Sequence, residues 1–159
     1  MSRDAFDVYK VTIEDTNQLN FRRHATDSFY VALLTFVLTG DAYVAYSATF
    51  DRWLPAIITL GIAAVGLAIL ARWRQSASDF SEILAHRYAF LRRLEETPEL
   101  ANAGATVFSE EYAKIYKSQD IGKHANTTKA LQNVFFIVFL LIPLVLIGLT
   151  AANLIPALR

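Results

Sequence analysis

There is no cysteine in this 159-residue chain, which removes disulfides, thiolate metal sites and cysteine nucleophiles together. There is no net charge either. Fifteen basic and fifteen acidic side chains balance, so no basic excess is available to bind nucleic acid. Charged residues are only 19% of the chain, and four prolines and six glycines leave long stretches without a helix breaker. The histidines His24, His86 and His124 stand far apart, with no HxxxH or HExxH spacing. GxSxG, P-loop and GxGxxG patterns are missing as well. These absences predict no enzymatic activity, no cofactor and no metal site. Met1 to Asn20 is polar and acidic and lacks the regions of a secretory signal, so insertion is expected to rely on internal segments.

What is present is apolar and clustered: 54% of residues are hydrophobic, and they gather into runs too long for a small soluble core. The clearest run lies between Trp53 and Trp73, with no charge until Arg72. At about 1.5 Å per residue it reaches roughly 30 Å, the thickness of a hydrocarbon core. A tryptophan at each end predicts an aromatic belt at both interfaces. The third run along the chain, about Leu131 to Ile155, contains Pro143, which is expected to kink it, and Thr127 or Thr128 is expected to cap its start. The first run, about Thr26 to Phe50, is weaker because Gly40-Asp41 interrupts it. A short Asp51-Arg52 link then predicts an antiparallel hairpin with the Trp53–Trp73 span.

Lys and Arg set the expected orientation. Thirteen lie before the first span or between the second and third, and only Arg52 and Arg159 lie on the other side. The positive-inside rule therefore places the N-terminus and the middle loop in the cytoplasm and the C-terminus outside. The expected fold is an all-α membrane protein with three transmembrane helices and a small cytoplasmic helical bundle. Its parts are an N-terminal cytoplasmic helix over 1–25, a hairpin over 26–73, a cytoplasmic helical region over 74–130 and a third span with a short outer tail over 131–159.

The second span is expected to continue as a helix to Glu96, because no Pro or Gly intervenes. Trp73, Ala77, Phe80, Leu84, Leu91 and Leu94 alternate steps of four and three, with Arg87 in the one missing place. Such a seam packs on the chain's own N-terminal helix, through Phe6, Tyr9 and Ile13, or joins protomers, or does both. Asp4, Asp7, Glu14 and Asp15 are placed to pair with Arg87, Arg92 and Arg93. Thr97-Pro98 opens a short helix, Ala103-Gly104 ends it, and Ser109-Glu110-Glu111 opens another.

Asp41 stands apart. It lies about 18 Å beyond Phe29 along a helix, where a charged carboxylate costs on the order of 3 kcal/mol. It either lines a pore or sits in interfacial water. Gly61, Ala64, Gly66 and Ala68 give the second span small residues suited to close helix approach.

Arg22-Arg23 followed by Asp27-Ser28-Phe29, then Trp73, Phe80, Ile83, Arg87-Tyr88, Leu91 and Leu94-Glu95, resembles the SLATT-like small membrane proteins of bacteria. Asp27 takes the place of the usual Asn. The resemblance makes Arg22, Arg23, Ser28 and Phe29 a juxtamembrane motif. It implies a bacterial inner-membrane effector of conflict systems, a homo-oligomer that breaches the lipid bilayer when a cytoplasmic signalling partner acts. The competing expectation is an accessory or scaffold subunit of a larger membrane complex.

Overall fold

The computed structural model describes residues 5–47, 53–110 and 121–157, with side chains described in the last stretch over 128–152. Every element is a helix, and no strand occurs among the described residues. The elements are α1 (Ala5–Tyr46), α2 (Leu54–Glu95), α3 (Pro98–Asn102) and α4 (Ile121–Ala157). Three helices are long and apolar enough to cross a membrane: α1, α2 and the Thr128–Ala152 stretch of α4.

Three local expectations are revised. Gly40-Asp41 does not interrupt α1, which runs on to Tyr46; a single glycine in a long helix costs only about 1 kcal/mol. Thr127 and Thr128 do not cap α4, because the helix already begins at Ile121 and no proline intervenes. The helix expected to open at Ser109 already begins at Val107, with Thr106 Oγ1 donating to Glu110 Oε1 at 2.9 Å. The region beyond Glu110, up to Asp120, is outside the described residues.

The chain divides into two compact units, and α1 and α2 contribute to both. Unit 1 comprises residues 1–26 and 76–128. Its core is Tyr9, Leu91 and Leu100, with Ala5, Ile13, Tyr88, Leu94, Ala105 and Phe108 packed around them. Thr97 precedes α3 in an extended conformation with Pro98 inside the first turn, but its hydroxyl donates backward to Leu94 O instead of capping. Gly104, at φ 73°, ends α3. Its N–H donates to Ala101 O and that of Ala105 to Leu100 O, both at 3.1 Å, the paired bonds of a Schellman stop.

Unit 2 comprises residues 27–75 and 129–159. Its core joins Leu34 of α1, Ala63, Leu70 and Trp73 of α2, and Phe135 and Phe139 of α4. Burial along α4 falls on Gln132, Phe135, Phe139, Pro143, Leu146 and Thr150, steps of three and four that keep one stripe inward. Gly66 admits the Phe139 ring: a Cβ there would stand 2.6 Å from ring carbons. Trp73 does not face outward as a belt residue would. It is 1% exposed, stacked on Tyr30, with its indole N–H donating to Asp27 Oδ1 at 2.7 Å. An indole with a carboxylate acceptor loses little by burial, which explains the inward turn.

Candidate functional site

Within unit 2, burial selects a polar set that composition alone would place outside. Asp41 and Thr59 are both 0% exposed, and Thr150 is buried as well. The register follows from the Asp27–Trp73 hydrogen bond. Fourteen residues on from Asp27 lies Asp41, and fourteen back from Trp73 lies Thr59, so the two share one level of the antiparallel pair. That level is about 21 Å along the helices from Trp73. Asp41 continues the inward stripe of Asp27, Tyr30, Leu34 and Val37/Leu38, which explains why it faces the protein.

Neither carboxylate oxygen of Asp41 has a hydrogen-bond partner among the described residues. The Thr59 hydroxyl donates to Ala56 O at 3.1 Å. Beyond this level, Ala45, Leu141, Ile142, Val145, Leu146 and Leu149 line an open apolar groove of about 310 Å³. Asp41, expected either to line a pore or to sit in interfacial water, is enclosed within its own protomer.

The seam on α2 is partly as the sequence pattern predicts. Leu84 and Leu91 are buried, while Ala77, Phe80 and Leu94 are half-buried. Arg87 is not in the seam; it is exposed and pairs with Asp15 at 3.8 Å. Tyr88 takes the inward place, giving Leu84, Tyr88, Leu91 and Glu95. A straight helix drifts about 20° per heptad, so a stripe that starts at Ala56 moves by one position after four heptads.

Glu95 was not singled out by its spacing as more than a neighbour of Leu94. Its carboxylate is buried and accepts from Tyr9 Oη, the Phe108 N–H and the Ser109 N–H, each at 2.8 Å, and from Ser109 Oγ. It caps the helical turn over 107–110 and ties α1 to it. Burial opposes the charged form, but the bonds from Ser109, Phe108 and Tyr9 outweigh it and hold the carboxyl below the usual glutamate range. Burial, and then the bond to Glu95 and its charge, raise the Tyr9 phenol above the tyrosine range, which keeps it a donor. The signal was a carboxylate on the inward stripe four residues after Leu91.

In the juxtamembrane motif, Arg22, Ser28 and Phe29 are exposed and Arg23 is half-buried, with its Nε enclosed. Phe29 meets Tyr30 edge-on at 5.7 Å. Among the described residues no group of three His, Cys, Asp or Glu could hold a metal ion.

Long apolar helices with their polar side chains turned inward or bonded back to the backbone make this a helical membrane protein. It belongs to the octameric membrane protein family (8xMP), whose profile matches residues 6–152, so it is an oligomeric membrane protein. No curated protein and no solved structure matches it.

Proposed function

We propose that the chain forms a homo-octamer in the bacterial inner membrane and acts as a channel-like effector. Each protomer crosses the bilayer three times, with the N-terminus and unit 1 in the cytoplasm and the C-terminus outside. The octamer permeabilises the membrane when a cytoplasmic partner rearranges unit 1. The observation that carries this reading is the divided outer face of α1. Phe29, Phe36 and Tyr43 form an exposed aromatic stripe, and Ser28, Ala32, Thr35 and Thr39 an exposed small and hydroxylated one. The Thr35 and Thr39 hydroxyls donate to Val31 O and Thr35 O, which leaves their acceptor lone pairs outward. In a ring of protomers the hydroxyl stripe suits a wet lumen and the aromatic stripe suits lipid or a neighbour. Gly61, Ala64 and Ala68 are also outward and permit close protomer contact, whereas Gly66 is used within the protomer. The family name supports eight copies, and the SLATT-like residues support an effector role.

A second reading, an accessory or scaffold subunit, has one observation in its favour: no charged side chain faces outward between Ser28 and Ala71 among the described residues.

The topology is tested by reporters. A fusion after Arg159 is expected to be active outside the cytoplasm and an insertion near Asn102 active inside. The reverse pattern overturns the orientation, and with it a cytoplasmic trigger.

A further inference from the structure

We propose that Asp41, enclosed and without a hydrogen-bond donor among the described residues, is a proton-binding site inside each protomer. The inference rests on unit 2 spanning the membrane and goes beyond the pore reading, because the site belongs to one chain and not to a ring. The argument is one of donors and acceptors. A carboxylate only accepts hydrogen bonds, and Asp41 has no donor within reach among the described residues. The Thr59 hydroxyl, at its level of α2, is bonded to Ala56 O and is a partner of neither carboxylate oxygen. A buried carboxyl with no donor beside it is mismatched with the anion and matched with the neutral acid.

The surroundings favour a proton over a metal cation. The facing turns, 56–63 of α2 and 143–150 of α4, carry no charged side chain, and their only hydroxyls are those of Thr59 and Thr150. A sodium ion needs more oxygen ligands than this interior supplies. Within unit 2 the next described carboxyl is Asp27, which is engaged with Trp73, and the basic residues Arg72, Arg74 and Lys129 lie at that same far end. Asp51 and Arg52 fall in the 48–52 segment, outside the described residues. The apolar groove at Ala45 and Leu149 offers a hydrophobic reagent a route from the lipid.

The test is labelling of the liposome-embedded octamer with dicyclohexylcarbodiimide, which attacks protonated carboxyls in apolar surroundings, read by peptide mass. Expected is modification at Asp41 that declines as pH rises, is unchanged when sodium replaces potassium, and is lost in Asp41→Asn. Protection by sodium identifies a metal-cation site and overturns the proposal. An unlabelled Asp41 at every pH, in protein that resists carbonate extraction, overturns the site and leaves the channel reading standing. Protein that carbonate extracts overturns the membrane-spanning reading as well.

Discussion

At the scale of single residues, Glu95 and Gly66 do work that their types do not announce. Glu95 supplies one carboxylate to four hydrogen bonds, so its loss strands the N–H groups of Phe108 and Ser109. Glu95→Ala is expected to destabilise unit 1 by about 3 kcal/mol, the range for buried bonds to a charged group, seen as a lower melting temperature of helicity. The pH dependence has a defined sign. The folded-state carboxyl lies below its unfolded value. Its contribution is therefore complete above the ordinary glutamate range and is lost as pH falls through the folded-state value. Thermal melts should show unit 1 weakening on acidification in the wild type, with a smaller acid effect in Glu95→Gln. Gly66 is needed for a different reason: the Phe139 ring occupies the place of its side chain. Gly66→Val should cost about 1–3 kcal/mol through overpacking. Adding Phe139→Leu should restore part of that loss, as read by detergent-solubilised melting.

Among the elements, the long helices were legible from the absence of breakers. No proline or glycine lies between Asp4 and Thr39 or between Ala68 and Glu96, and α1 and α2 run unbroken there. The seam on α2 was legible at Leu84, Leu91 and Leu94 and missed one place, where Tyr88 turns inward instead of Arg87, because a straight helix drifts against a strict heptad. The inward turn of Trp73 was hidden because its partner, Asp27, is forty-six residues away in sequence. Asp41 was legible as an anomaly, but its direction was not: only the register with α2 shows which face is inside. The corrected seam separates two substitutions. Leu91, fully buried, should not tolerate Asp, and Leu91→Asp is expected to abolish the cooperative melt of unit 1 by placing a carboxylate in its core. Arg87→Ala should change stability by less than about 1 kcal/mol, since its pair with Asp15 is solvent-exposed. Equal damage from the two would restore Arg87 to the seam.

For the whole molecule, the family assignment supplies an oligomer in a membrane, and the outward faces of unit 2 suit both lipid and neighbouring copies. The chain's chemistry is otherwise sparse. Among the described residues its buried polar groups cap a helix, as Glu95 does, bond back to their own helix, as Thr12, Thr16 and Thr59 do, or stand alone, as Asp41 does. An effector held quiet by unit 1 requires that loosening this unit change the membrane's permeability, because α1 and α2 belong to both units. A scaffold subunit carries no such requirement. The direct measurement is cation flux from liposomes bearing the purified octamer, with wild type and Glu95→Ala compared at equal incorporation. The channel reading predicts near-silent wild-type vesicles and a leak with Glu95→Ala that scales with octamer content. Sealed vesicles for both proteins, with Glu95→Ala still octameric and its unit 1 shown to be loosened, would contradict it.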